Sequence, residues 1–262
     1  MSQITVNREL CIQDGVCVSV CPIGTLRTDN EGYPEENPEV GCIACGHCVA
    51  ACNCGALSHA GLPQEPFLPM PEDLPSPEAM DNLLISRRSV REFHDEPVPR
   101  ATLERLLDVA RRAPTAHNSQ KLHWIVVEGK EKIRALSEEA VSWMRKAGYI
   151  APERFRQWDQ GYDFVMRGAP TAVMVCTPDD YQWGRHDGSI ALTFLELAAE
   201  ARGIGVCWSG FLIAVAREHA PLREMLAVPP NSKMHGALML GRPKFRYHSV
   251  PPRNPLSVQW NS

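Results

Sequence analysis

Long apolar runs are missing from this chain of 262 residues. None approaches the roughly 20 residues that a bilayer-spanning helix needs, so no membrane is expected as a partner. The opening residues, MSQITVNREL, lack the apolar centre of a secretory signal, and the expected location is the cytoplasm. Excess positive charge is missing as well: 27 Lys and Arg against 31 Asp and Glu leave a net charge of −4. That balance gives no electrostatic case for nucleic acid as a partner. The usual phosphate-binding signatures are absent too. There is no P-loop, and Gly203-x-Gly205 continues as Val-Cys-Trp-Ser-Gly, which breaks the spacing of a dinucleotide fingerprint. Any nucleotide must be held another way. Cysteine is scarce over most of the chain, since only Cys176 and Cys207 lie beyond Cys54. The other eight of the ten crowd between Cys11 and Cys54. Without a secretion signal, such crowding points to metal or redox chemistry rather than to a disulfide framework.

Three zones follow from composition. Residues 1–60 hold the cysteines. Residues 61–77, GLPQEPFLPMPEDLPSP, contain six prolines and read as an extended spacer. Residues 78–262 alternate helical and strand patterns, as in an α+β domain. There the spacing of Leu103, Leu106, Leu107 and Ala110 predicts a helix from Thr102 to Arg112, stopped by Pro114. Trp124–Val127 reads as a short buried strand, and Thr171–Thr177 and Gly236–Gly241 as two more. A strong helix is expected over Gly188–Arg202, with Ile190, Phe194, Leu197, Ala198 and Ala201 lining one face and Gly203 closing it.

The cysteine zone repeats at 31 residues. Cys11, Cys17 and Cys21 align with Cys42, Cys48 and Cys52, and Gly24 and Leu26 with Gly55 and Leu57. A duplication this short implies two similar halves about a pseudo-twofold axis. The second half reads Cys42-x2-Cys45-x2-Cys48-x3-Cys52. With that spacing three thiolates of one loop grip one cubane cluster, and the fourth points to the other cluster. The first half reads Cys11-x2-Asp14-x2-Cys17-x3-Cys21-Pro22, with Asp14 where a cysteine is expected. Paired CxxC motifs also occur in zinc sites, but these two runs fit zinc poorly. Over residues 1–60 the pattern resembles a bacterial two-cluster ferredoxin. That resemblance implies crossed ligation: one [4Fe–4S] cluster on Cys42, Cys45, Cys48 and Cys21, and a second on Cys11, Cys17 and Cys52. Asp14 would be the second cluster's fourth ligand, or a surface residue beside a cluster that never assembles. A carboxylate is a harder, weaker ligand for cluster iron than a thiolate, so the second cluster is expected as [4Fe–4S] or [3Fe–4S]. Cys54, opposite Ile23 of the first half, reads as a small core residue, and His47 as solvent-facing or beside the ligands.

In the third zone Ser86-Arg87-Arg88-Ser89-Val90-Arg91 gathers three arginines and two serines. Alone it could be a solvated face, but guanidinium forks and hydroxyls are also what a phosphate needs. It is followed in order by Ala113-Pro114-Thr115-Ala116-His117-Asn118-Ser119-Gln120, by Gly203-Ile-Gly-Val-Cys-Trp-Ser-Gly210, by Leu240-Gly241-Arg242-Pro243 and by Arg253-Asn-Pro-Leu256. That ordered set resembles the nitroreductase family over residues 78–262. The resemblance implies a mixed sheet flanked by helices, and a homodimer with FMN at the subunit interface. It implies that Arg87, Arg88 and Ser89 hold the phosphate and ribityl chain, and that Arg91 faces the N1 edge of the flavin. Pro114, Thr115, Asn118 and Gln120 would be lent by the partner subunit. Cys207, Trp208, Ser209 and Gly210 would pass the N5 edge, although packing explains Cys207 and Trp208 equally well, and Arg253 would touch the phosphate. Lys121 stands where the family often has proline.

Clusters carry single electrons, and a flavin collects two and passes them on. The expected function is therefore an oxidoreductase fed through iron–sulfur clusters to FMN, reducing a small acceptor such as a nitroaromatic, a quinone or an enone. An external ferredoxin or NAD(P)H would be the donor. Two other readings stay open on the sequence: a redox relay or sensor between protein partners, and an enzyme running the other way to reduce ferredoxin.

Overall fold

The computed structural model describes residues 3–63 and 65–261. Met1, Ser2, Gln64 of the proline-rich spacer and Ser262, which the expected zones include, lie outside the described residues. The chain divides into two units, Met1–Leu74 with Thr115–Ser119, and Pro75–Pro114 with Gln120–Ser262.

The first unit carries β1 (Ile4–Val6), α1 (Val16–Ser19), β2 (Leu26–Thr28), β3 (Pro34–Glu36), α2 (His47–Ala51) and β4 (Leu57–His59). Two antiparallel pairs, β1 with β4 and β2 with β3, reproduce the expected duplication. The repeat extends to the backbone. Left-handed φ values of 69° at Gly15 and 75° at Gly46 precede the two helices. Gly24 and Gly55 match at 75° and 64°, and even the non-glycine positions Gln13 and Ala44 match at 56° and 48°. The buried cluster here is Ile4, Cys17, Leu26, Cys48 and Leu57. A core this small cannot by itself offset the chain entropy of some 60 residues, and such modules need a covalent or metal staple.

The second unit contains α3 (Pro77–Ser86), α4 (Arg100–Ala110), β5 (His123–Glu128), α5 (Lys130–Lys146), α6 (Pro152–Asp159), β6 (Thr171–Pro178), α7 (Gly184–Glu200), β7 (Gly205–Trp208), α8 (Gly210–Glu218), α9 (Ala220–Met225) and β8 (Ser232–Gly241). The sheet order is β5-β6-β8-β7, with every ladder antiparallel. Among the described residues the one parallel element is a bridge from Ser89 to Val206. Alternation along the central strands builds a three-layer body. Ala172 and Met174 of β6 face a core with Ile133, Met144 and Leu212 from α5 and α8. Val173 and Val175 face the opposite core, with Leu103 and Leu106 of α4 and Leu192 and Leu195 of α7. Each such side chain contributes roughly 1.5–3 kcal/mol by leaving water.

Several sequence-based boundaries shift. Pro99 opens α4 two residues earlier than expected, and Arg112 N–H bonds the Val109 carbonyl (3.1 Å) in a tighter final turn. The strand at Trp124–Val127 is an edge strand, paired among the described residues only with β6, and is half-buried, not buried. In α7 the apolar face named from the sequence is not the buried one. Its buried stripe is Gly188, Ala191, Leu192, Leu195 and Ala199, whereas Ile190 and Phe194 are each 39% exposed. The helix is apolar on two faces, and the sheet takes the one with the smaller residues. A Cβ at Gly188 would lie 3.1 Å from His235 Cβ and 3.2 Å from Val175 Cγ1, so close approach selects that face.

Candidate functional site

In the first unit, Cys21, Cys42, Cys45 and Cys48 line one small cavity together with His59. Three come from the second half of the repeat and the fourth from the first. Burial pushes the Cys48 thiol up, and its neighbours Cys45 and Cys42 add to the effect. Cys17 belongs to a different neighbourhood. Burial raises it too, and the charges that reinforce this are those of Cys11, Cys52 and Asp14. The electrostatic neighbours of Cys17 thus come from both halves of the repeat, as do the four cysteines of the cavity. Asp14 is exposed, and its Oδ1 accepts the Val16 N–H (3.1 Å).

Backbone donors point at the sulfurs. Thr25 N lies 3.2 Å from Cys21 Sγ, and the repeat-related Ala56 N lies 3.2 Å from Cys52 Sγ. Burial works against ionisation of Cys21, but the N–H groups of Leu26, Ile23 and Thr25 outweigh it and hold the thiol below its ordinary value. N–H groups aimed at sulfur are the environment that an iron–sulfur cluster uses to stabilise its thiolate shell. Among the described residues no three His, Cys, Asp or Glu side chains close on a single ion position. A cluster asks instead for one thiolate per iron, and this donor set fits one. Cys54 is not a core residue as the alignment suggested. It is half-buried, with its sulfur 3.6 Å from Cys52 Sγ, because the turn after α2 brings the two side chains to the same side.

In the second unit the arginine strip runs from the end of α3 along β7. Gly205 makes this possible: a Cβ there would stand 2.7 Å from Val90 Cγ2. Val90 N–H then reaches the Val206 carbonyl at 2.9 Å. Arg87 forms an ion pair with Glu196 at 2.8 Å, and the other oxygen of Glu196 accepts the Trp208 indole N–H at 3.3 Å. Arg88 folds back on the C-terminal end of α3, donating from Nη1 to the Arg87 carbonyl (2.6 Å) and from Nη2 to the Ile85 carbonyl (2.7 Å). Its Nε–H is buried with no acceptor among the described residues. A buried guanidinium N–H without a partner is costly, and a phosphate oxygen would satisfy it, so the strip fits an anionic ligand. Ser89 is half-buried, and Arg91 is exposed with Nη1 3.1 Å from the Ser89 carbonyl.

Cys207 is buried, which raises its thiol, while Arg91 and Arg167 pull in the opposite sense. Ser209 is also buried and donates from Oγ to the Val165 carbonyl (3.0 Å). Gly210 begins α8. Thus Arg87, Arg88, Ser89, Arg91, Cys207, Trp208, Ser209 and Gly210 fall on two adjoining segments. The strip from Pro114 to Gln120 is divided between the units: Thr115–Ser119 groups with the first, where Asn118 Nδ2 donates to the Ala44 carbonyl at 2.8 Å. Its backbone is left-handed at His117, Asn118 and Gln120. Arg253 lies in the exposed segment after β8, and no hydrogen bond joins it to the other candidates among the described residues. Lys121 Nζ stands 5.2 Å from the Tyr181 ring centroid.

Two residues of these sites escaped the reading of the sequence. Glu196 is a lone carboxylate in the apolar stretch Phe194-Leu-Glu-Leu197, and a buried acid of that kind must find a cation. His59 lies outside every cysteine motif and reaches the first cavity only through the pairing of β4 with β1.

The model of the nitroreductase family matches residues 84–242, and that of a 4Fe-4S dicluster domain matches residues 3–53. A protein of Archaeoglobus fulgidus, provisionally named an NADH dehydrogenase/NAD(P)H nitroreductase, is 29% identical over 167 residues, covering 62% of this chain and 84% of its own. The 4-nitrobenzoate reductase of a Nocardioides species is 26% identical over 201 residues, covering 62% and 80%. Among solved structures, a nitroreductase with bound FMN from Desulfitobacterium hafniense aligns at a TM-score of 0.59 and 22% identity, over 69% of this chain and 97% of that one. At that identity the likeness is one of fold.

Proposed function

The chain belongs to the nitroreductase family, and from that premise we propose that it is an FMN-dependent oxidoreductase fed by single electrons through two iron–sulfur clusters. Its acceptor is a small molecule of the nitroaromatic, quinone or enone class. One observation carries the reading: a single chain holds a cavity lined by four cysteines and, in its other unit, an arginine strip with an orphaned buried Nε–H. When bound, the clusters supply one-electron steps and the flavin supplies two-electron transfer to the acceptor.

Cys21, Cys42, Cys45 and Cys48 hold one [4Fe–4S] cluster. Cys11, Cys17 and Cys52 hold the other, with Asp14 at its fourth position; that cluster is [4Fe–4S] or, where its carboxylate-bound iron is lost, [3Fe–4S]. Arg88 binds the FMN phosphate through Nε–H, with Arg87, Ser89 and Arg253 completing the anion site. Arg91 would lend its positive charge to a bound flavin and so favour the negative charge that the flavin gains on reduction. Cys207, Trp208, Ser209 and Gly210 would help to hold the flavin. Pro114, Thr115, Asn118 and Gln120 belong to the partner's flavin site in a homodimer. The apolar face of α7 left exposed at Ile190 and Phe194 supports that assembly. The working division of the chain is 1–60 for the cluster domain, 61–77 for the spacer and 78–262 for the flavin domain.

The test is anaerobic turnover of the purified, cofactor-loaded protein with a nitroaromatic and a quinone, comparing reduced ferredoxin with NADH and NADPH as donors. Acceptor-dependent oxidation of at least one donor is expected. No turnover of any pair, with FMN and iron present, overturns the reading.

A further inference from the structure

We propose that His59 is a positioning residue that donates its Nε2–H to the Cys42 sulfur and so raises the reduction potential of the cluster held by Cys21, Cys42, Cys45 and Cys48. The proposal rests on that ligand assignment. Three observations carry it. His59 is only 9% exposed and lines the same cavity as the four thiols. Its Nε2 lies 3.2 Å from Cys42 Sγ. Its Nδ1 accepts the backbone N–H of Gly61 at 3.0 Å. The last contact settles the tautomer. A ring nitrogen that accepts carries no proton, so in the neutral imidazole the proton sits on Nε2, facing sulfur.

The ring is built into place. β4 pairs with β1 so that His59 stands opposite Ile4, and Ala60 N–H bonds the Gln3 carbonyl at 2.7 Å. Gly61 lets the turn close tightly on the imidazole. A Cβ there would lie 3.0 Å from His59 Cε1 and 3.1 Å from Gln3 Oε1. The repeat shows that this arrangement is specific to one half. The position 31 residues before His59 is Thr28, an exposed residue of β2, so Cys11 has no histidine at the place equivalent to the one that serves Cys42.

The physical effect has a definite sign. Reduction adds an electron to the cluster and makes its thiolate sulfurs more negative. A fixed N–H donor therefore stabilises the reduced form more than the oxidised form, and the potential rises. Such a donor would distinguish the two clusters of an otherwise duplicated module.

The experiment is an anaerobic redox titration followed by electron paramagnetic resonance on the full-length, cluster-loaded chain, comparing wild type with His59→Leu, His59→Gln and Gly61→Ala. Iron and sulfide content of the wild type come first. A chain that binds neither defeats the ligand assignment itself, and the histidine proposal with it. With clusters present, His59→Leu is expected to lower the reduced-to-oxidised ratio of one cluster about tenfold at fixed potential, which is about 59 mV for one electron. His59→Gln, which keeps a donor, and Gly61→Ala, which displaces the ring, should fall between. The other cluster should not move. Two wild-type midpoints in a His59→Leu sample that retains both clusters overturn the proposal. If His59→Leu loses a cluster, the decision passes to the reduced His47→Gln protein labelled with 15N-histidine. A histidine nitrogen coupled to one cluster is expected there, and none overturns the proposal.

Discussion

Replacing Arg88 with lysine keeps the charge and removes the fork. In the structure two of the guanidinium nitrogens are already committed, to the carbonyls of Arg87 and Ile85 at 2.6 and 2.7 Å. Those bonds fix the plane of the group and leave the Nε–H buried beside them without an acceptor among the described residues. Lysine has a flexible stem and a compact ammonium, so it cannot both close the end of α3 and present a directed N–H beside it. A charge-assisted bond to phosphate contributes about 1.5–3 kcal/mol. Its loss corresponds to about 10- to 150-fold weaker FMN binding, at about 1.4 kcal/mol per tenfold. Equilibrium dialysis with fluorescence detection of free FMN measures this directly, and thermal unfolding of the flavin-free variant shows how much belongs to the helix end. Arg253→Ala, measured alongside, separates the strip from the C-terminal segment. If Arg88→Lys binds FMN within twofold of wild type, Arg88 does not hold the phosphate and the orphaned Nε–H needs another explanation.

Three further outcomes are expected. Asp14→Cys should convert a three-iron resonance signal of air-exposed protein into a stable four-iron cluster; a sample with one cluster, unchanged by the substitution, contradicts a role for Asp14. Phe194→Glu, on the exposed stripe of α7, should turn a homodimer into a monomer by light scattering, and a wild type that is monomeric with FMN bound refutes the assembly. Burial holds His235 below its ordinary value, with Arg217, Lys233 and Arg185 pushing the same way. The unfolded chain therefore takes up that proton first as pH falls, so this stability is complete well above about pH 6.5 and is lost as pH drops through it. Urea unfolding at a series of pH values should show a shallower acid-side decline for His235→Gln than for wild type, and parallel curves would contradict the linkage.

Much of the cluster unit was legible because its chemistry sits in short spacings. The 31-residue repeat carried five pairs of matched positions, and the fold places Cys21 with Cys42, Cys45 and Cys48 around one cavity. Residues that act through pairing of distant strands were not legible. His59 meets Cys42 only because β4 lies on β1, and nothing local to Ser58-His59-Ala60 announces it. The helix α7 was legible, but which of its two apolar faces packs on the sheet was not, because both obey the same period and the close approach at Gly188 separates them. In the second unit the ordered motifs named two segments that the fold sets side by side, whereas Glu196, which anchors both Arg87 and Trp208, depended on a tertiary contact spanning more than a hundred residues.

The central claim is that electrons enter through the cysteine-bound clusters and leave through FMN. Rapid anaerobic mixing of the loaded enzyme with a one-electron donor, with flavin absorbance and cluster resonance followed together, tests it most directly in wild type and in Cys45→Ser. In wild type the reduced-cluster signal should rise first and decline as the flavin is reduced. In a folded Cys45→Ser protein that retains FMN, flavin reduction by that donor should slow by at least about tenfold, since a cluster ligand is gone. Equal rates of flavin reduction in the two proteins would contradict the account.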